Sequence, residues 1–287
     1  MKKLSCYILI LTLAFSTCLP IVIEALTRIN CELVPIKKGI RRHDPGKARI
    51  TCRNLNNIKG NASNNWCGYV AFSNLSHKRG GLVSAVTGTW IVPLLHASTS
   101  NECYASIWVG IDGFNSETVE QIGTEHNFDC LKGLQTNFAW FEMFPDSMYM
   151  IKTFPVNVGD KITANVLYKG KNEEGKKVFV LTVINRTQDV FYQVPKSKTQ
   201  VDKADCSCAE WIAEAPAMKG NILPLSCFKG IDFSICNATM GGKTGPINNS
   251  RWQCKSIRMI DNDGVVKAKA SNLSRDGQSF TVSWYHE

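Results

Sequence analysis

Ser279-Phe280-Thr281-Val282-Ser283-Trp284-Tyr285 alternates polar and apolar residues with a period of two. Phe280, Val282 and Trp284 fall on one side of an extended chain, and Ser279, Thr281 and Ser283 on the other, as in a strand with one buried face. The same β-branched and aromatic character recurs at 87–93, 104–111, 137–144, 161–168 and 177–184. Turn residues punctuate these runs, as in Asn157-Val158-Gly159-Asp160 and Asp261-Asn262-Asp263-Gly264. No segment after residue 25 sustains a helical apolar period. Many short strands without helices predict an all-β protein. A one-faced sheet must bury its apolar side against another, so the expected fold is a sandwich of two antiparallel sheets.

The chain has 287 residues, 44% hydrophobic and 20% charged. That is ordinary globular composition and excludes a disordered, collagen-like or coiled-coil protein. The net charge of +9 is unevenly spread. Residues 1–25 carry net +1, and residues 26–60 hold nine Lys/Arg against Glu32 and Asp44, net +7, which leaves +1 for residues 61–287. A nearly neutral body implies no polyanion-binding surface, so no nucleic-acid partner is expected.

Lys2 and Lys3, the apolar run 7–15, and small residues at 14–16 and Ala25 read as an export signal over residues 1–25. The rival is an uncleaved anchor, since residues 4–23 approach the ~20 needed to span a bilayer. Pro20 and the interspersed Ser and Thr favour cleavage. The expected product is a secreted monomer with no membrane partner. Residues 26–60 are basic, poor in aromatics and weak in strand signal, and read as a propeptide or N-terminal extension. Residues 61–287 read as one domain.

Ten cysteines remain beyond Cys6 and Cys18. An even number in an exported chain predicts structural disulfides, with connectivity undetermined. Metal binding fits poorly: no pair has C-x-x-C spacing, Cys206-Ser207-Cys208 is too tight for the usual zinc chelate, and the five histidines are scattered. No metal and no cofactor is implied. N-x-[ST] sequons stand at Asn61, Asn74, Asn185, Asn237, Asn248 and Asn272.

The G-x-S-x-G elbow, the H-E-x-x-H motif and the D-[TS]-G loop are all missing. A cysteine nucleophile needs a nearby base. His126 with Cys130 is the close pair in sequence, and an oxidised Cys130 is the simpler expectation. Acid–base chemistry by carboxylates and amides is left.

Six blocks occur in order: Asn65-Trp66-Cys67-Gly68-Tyr69, Gly88-Thr89-Trp90-Ile91-Val92-Pro93, Trp108-Val109-Gly110-Ile111-Asp112-Gly113, Gln121-Ile122-Gly123-Thr124-Glu125, Ala139-Trp140-Phe141-Glu142-Met143-Phe144-Pro145 and Ala209-Glu210-Trp211-Ile212-Ala213-Glu214. The series resembles that of the glutamic peptidases, or eqolisins, over roughly residues 65–287. The resemblance implies a concanavalin A-like sandwich with the active site in its concave face. It puts the family's catalytic glutamine on Gln121 and its glutamate on Glu210. Trp66, Trp108, Asp112 and Glu142 are the implied substrate-binding or supporting residues, and polypeptides the substrates.

The chemistry is consistent with that assignment. Amide hydrolysis needs a base for water, a donor at the growing oxyanion and an acid for the leaving nitrogen. One carboxylate serves first as base and then as acid. A fixed neutral amide stabilises the oxyanion, typically by ~2.7–4 kcal/mol per donor. Because the carboxylate must start ionised, activity is expected to persist down to a pH near its own pKa, in the acidic range. Glu142, Asp112 and Glu125 are placed to tune it. The usual W-Y-E-W-Y-P block carries Met143 and Phe144 here, so a tryptophan and a tyrosine hydroxyl are lost. The alternative is a β-sandwich carbohydrate- or peptide-binding module without catalysis, since fold alone does not fix function.

Overall fold

The computed structural model describes residues 26–36, 61–73, 82–114 and 116–287. The expected signal segment, Cys52, the Asn74 sequon and most of the basic segment lie outside the described residues. No described helix is long and apolar enough to cross a membrane. In chain order the strands begin β1 Thr27–Arg28, β2 Glu32–Pro35, β3 Asn61–Ser63, β4 Trp66–Ser73, β5 Val83–Ile91, β6 Leu95–His96, β7 Glu102–Asp112 and β8 Val119–Asp129. They continue as β9 Leu134–Phe144, β10 Tyr149–Lys152, β11 Lys161–Lys171, β12 Lys177–Asn185, β13 Val190–Gln193, β14 Gln200–Val201 and β15 Cys208–Glu214. The rest are β16 Ala217–Met218, β17 Asn221–Ile222, β18 Cys227–Phe228, β19 Ile231–Met240, β20 Lys243–Pro246, β21 Trp252–Ile260, β22 Val266–Ala270 and β23 Phe280–Trp284.

Two antiparallel sheets carry the fold, as expected. One runs β10-β9-β8-β7-β15-β4-β21. The other runs β13-β12-β11-β5-β19-β23. Strand β22 pairs with both β21 and β23 and joins the sheets along one side. Along the other side the chain adds β1, parallel to β13, and β2, antiparallel to β10. The weak strand signal of residues 26–36 thus still yields two edge strands, one per sheet. Both cover backbone groups that would otherwise stand unpaired.

The main core lies between the sheets. Phe280 and Val282 of β23 enter it as the alternation predicts, while Trp284 is half-buried at the margin. Trp90 sits there fully buried, its indole N–H donating to Thr124 Oγ1 at 2.9 Å. Strand β7 is buried on both faces, from Cys103 to Asp112. Its odd positions Ala105, Ile107, Val109 and Ile111 join the core. Its even positions Ser106, Trp108, Gly110 and Asp112 face the far side of the sheet, where Trp66, Trp108, Trp140, Val70 and Ile212 form a second cluster. That double burial hides the period of two in this strand.

No disulfide joins the nine described cysteines, so the expected framework is not formed among them. Cys67 and Cys208 lie on adjacent strands but in different layers, and five register positions apart. Cys103 and Cys130 bring their sulfurs to 3.9 Å. The Asn185 sequon is buried, its amide donating to Asp160 Oδ2 at 2.7 Å and to the Pro155 carbonyl at 3.0 Å. That asparagine is no acceptor for a glycan while the fold is intact.

Candidate active site

The seven-stranded sheet turns one row of residues toward the second cluster, strand by strand. Glu142 of β9 pairs with Gln121 of β8, Gln121 with Gly110 of β7, and Gly110 with Glu210 of β15. Glu210 pairs with Val70 of β4, and Val70 with Lys255 of β21. Directly paired residues share a face of the sheet. Gln121 and Glu210 therefore project to one side, two strand spacings or roughly 10 Å apart at the backbone. The residue between them has no side chain. A Cβ at Gly110 would stand 3.3 Å from Gln121 Cβ and 3.0 Å from Trp108 Cζ3, so the packing around this glycine leaves little room for a side chain.

Both groups are buried and held. Gln121 Nε2 donates to Glu142 Oε2 at 3.0 Å, which sets the amide's orientation. Glu210 Oε1 accepts from the Cys208 thiol at 3.4 Å. Gly113 has φ +113°, and a Cβ there would come within 3.0 Å of both Glu210 Oε2 and Trp66 Cη2. The glycine of the I-D-G block is thus required both by conformation and by the close approach of the carboxyl. Burial pushes the Glu210 carboxyl well above the usual carboxylate range. The Cys208 thiol pulls the other way, and the charges of Asp112 and Glu214 add to the rise.

The remaining residues named from sequence divide by role. Trp66 and Trp108 pack edge to face, ring centres 5.1 Å apart, in the cluster beside Glu210. Asp112 accepts from the backbone N–H groups of Asp205, Cys206 and Ser207 and from Ser207 Oγ, at 2.6–2.7 Å. It anchors the turn that launches β15, two residues before Glu210. Met143, which stands where the family block has tryptophan, faces the main core, whereas Phe144 lies on the side of the second cluster. His126 is buried on the core side, its ring nitrogens 2.9 Å from Thr124 Oγ1 and Asn137 Oδ1, a satisfied core histidine.

Sequence reasoning missed Glu214 as a site residue. It accepts from the Trp108 indole N–H at 2.8 Å and from Asn65 Nδ2 at 3.1 Å, fixing the tryptophan. The signal was present: Glu210, Ile212 and Glu214 follow the period of two along β15. Cys208, at the same period before Glu210, is in the sequence one of ten cysteines expected in disulfides, with nothing to mark it as a partner of the carboxyl.

The class to which this β-sandwich belongs is that of the glutamic peptidases, which are hydrolases. The sequence profile of the Peptidase A4 family matches residues 64–284, and the chain belongs to that family. Aspergillopepsin-2 of Aspergillus niger is 28% identical over 243 residues, 77% of this chain and 78% of that protein. Scytalido-glutamic peptidase, solved with a transition state analog inhibitor, superposes with a TM-score of 0.61 at 19% identity. That match covers 77% of this chain and 98% of the other. Aspergilloglutamic peptidase from Aspergillus niger superposes at 0.50 with 25% identity, over 64% of this chain and 99% of that one.

Proposed function

We propose that this chain is a secreted, metal-independent acid endopeptidase in which Glu210 and Gln121 form the catalytic pair. The observation that carries this is the registry of both residues on Gly110, which puts an amide and a carboxyl on one sheet face with no side chain between them. In this reading Glu210 takes a proton from water as the water attacks the carbonyl carbon. Gln121 donates an amide hydrogen to the carbonyl oxygen as charge grows there. An amide nitrogen carries two hydrogens, and Glu142 engages one of them. The proton held on Glu210 then passes to the departing nitrogen, regenerating the carboxylate.

Trp66, Trp108, Gln121, Glu142 and Glu210 are all fully buried, so a substrate enters only when the cleft opens. Half-buried Ile36, Phe72, Phe114, Phe138 and Phe144 pack against the same cluster. Water entry on opening also relieves the burial that holds Glu210 protonated, so base catalysis belongs to the open state. Export rests on the basic start and apolar run of residues 1–25, and residues 61–287 constitute the catalytic domain.

The test is hydrolysis of a denatured protein from pH 3 to 7 with a metal chelator and an aspartic-peptidase inhibitor present. Gln121→Ala and Glu210→Ala should each lower the rate by about 10²-fold or more. Activity retained in either variant, or abolished by the chelator, overturns the reading.

A further inference from the structure

We propose that Lys255, Phe72 and Phe114 form a subsite that takes a carboxylate of the substrate two to three residues from the scissile bond. Lys255 completes the row that contains Gln121 and Glu210, two strands beyond the glutamate through Val70. Its side chain is on the same face, as Ile257, two residues on, belongs to the cluster of Trp66 and Trp108. Lys255 is exposed, whereas the catalytic residues of the row are closed in, so it stands at the rim of the cleft.

The ammonium is placed against a wall. Lys255 Nζ lies 5.1 Å from the centre of the Phe72 ring and 5.9 Å from that of Phe114. The two rings stack at 6.1 Å with planes 16° apart. Contact with aromatic faces holds the cation while leaving its donors for another partner. Among the described residues no carboxylate pairs with it. Phe114 follows Gly113, the residue packed on the Glu210 carboxyl, so the wall adjoins the proposed catalytic group.

The spacing sets the position. Two strand intervals are roughly 10 Å, and an extended peptide rises ~3.3 Å per residue, so a substrate crossing the strands along this row brings its second or third residue to Lys255. The rings shield one side of the resulting ion pair from water. Its source is an Asp or Glu side chain or the terminal carboxylate of a short peptide. An ion pair at a half-open rim is worth about fivefold in affinity.

The inference rests on the reading of Gln121 and Glu210 as the catalytic pair, so its test includes binding as well as turnover. Peptides differing only by Glu or Gln at each of three positions on either side of the cleaved bond are compared at pH about 5.5. The measurements are kcat/KM with the wild-type chain and equilibrium binding to Glu210→Gln. Peptides ending at the preferred position, with free or amidated C-termini, separate side-chain from terminal carboxylate. The expected result is one position at which Glu exceeds Gln by about fivefold. The ratio should fall to one in Lys255→Ala, and Lys255→Glu should favour a Lys peptide instead. A ratio of one at every position in wild type, or an unchanged ratio in Lys255→Ala, overturns the subsite. Carboxylate-selective binding without turnover would retain the subsite and overturn the catalytic reading instead.

Discussion

Gln121 and Glu210 are each paired in register with Gly110, so the two side chains leave the same face of the sheet on either side of a position that has none. Adding a side chain at that position tests whether the two act together across it. A Cβ at 110 meets Trp108 Cζ3 at 3.0 Å and both Gln121 Cβ and Val119 Cγ1 at 3.3 Å, so these neighbours must give by a few tenths of an ångström. Gly110→Ala should therefore fold, with a melting temperature lowered by a few degrees, yet lose kcat by about tenfold or more. Misplacement by about 1 Å is enough for such losses. Full activity in the folded variant would show that the reaction happens elsewhere.

The hydrogen bond from Gln121 to Glu142 makes Glu142 a positioning residue. Glu142→Ala should lower kcat by about 10- to 100-fold with little change in KM, because the amide then loses its fixed orientation for the oxyanion. Glu142→Gln should recover part of the loss, since its side-chain oxygen still accepts that hydrogen bond. Equal loss in both variants would point to charge rather than orientation.

Burial raises the Glu210 carboxyl and the Cys208 thiol opposes the rise by donating to it. The acid limb of kcat/KM should accordingly lie above the pH of an ordinary glutamate, ~4.3. Removing a donor from an ionised acceptor destabilises the charged form, so Cys208→Ala should move that limb to higher pH. Cys208→Ser, which keeps a donor, should move it less. A limb that does not move in Cys208→Ala would exclude the thiol from setting the titration.

Much of this was legible in the residues. The alternation of β23 and the turn residues between strands announced a sandwich, because one-faced strands display their period. Strand β7 did not, being buried on both sides. The glycines in the conserved-looking blocks had readable causes only once the packing was seen: a Cβ at Gly123 would fall 2.2 Å from the Ile107 carbonyl. Gln121 and Glu210 were found by resemblance, since nothing in a lone strand glutamate distinguishes a buried acid from a solvated one. Glu214 and Cys208 share the period of two of Glu210 within β15, whereas Lys255 depended on register across strands distant in sequence. The cysteines misled because an even count carries no information about which layer each thiol enters.

The pairing of β1 with β13 and of β2 with β10 predicts where any maturation stops. These strands hydrogen-bond to both sheets, Ile29, Cys31 and Leu33 pack on the main core, and Glu32 pairs with Lys152 at 3.1 Å. Releasing them would bare two sheet edges, whereas cutting beyond residue 36 would not. If the protein is incubated at pH 4 and then separated by size under native conditions, mass spectrometry should find residues 26–36 still with the body. A body beginning near residue 61, with the earlier segment absent, would mark the whole of 26–60 as a dissociable propeptide.

Asp112 gathers four donors at the start of β15, and its loss should act on stability and on the site together. Asp112→Ala leaves three backbone N–H groups without their acceptor, that of Cys206 buried and those of Asp205 and Ser207 partly so, at about 1–3 kcal/mol for the buried one and less for the others. The variant should melt well below wild type and lose activity as the turn before Glu210 loosens. Asp112→Asn keeps one acceptor oxygen and should fall between. A variant as stable as wild type would mean that the turn is held by other contacts.

Glu120 and His126 face the core from β8 and tilt the dependence of stability on pH in opposite directions. Burial, reinforced by the charge of Asp112, pushes Glu120 well above the carboxylate range. Above ~4.3 the unfolded chain releases a proton that the fold retains, so this residue makes stability fall as pH rises. Burial pushes His126 down to about 4. Below ~6.5 the unfolded chain takes up a proton that the fold refuses, so this residue makes stability fall as pH drops toward 4, by about 3 kcal/mol in all. Melting curves between pH 4 and 6.5 separate the two. Relative to wild type, Glu120→Gln should gain stability as pH rises, and His126→Gln should lose it. Parallel curves for all three proteins would mean that neither group changes its protonation between the folded and unfolded chain, and a tilt of the wrong sign would reverse the assignment of the burial effect.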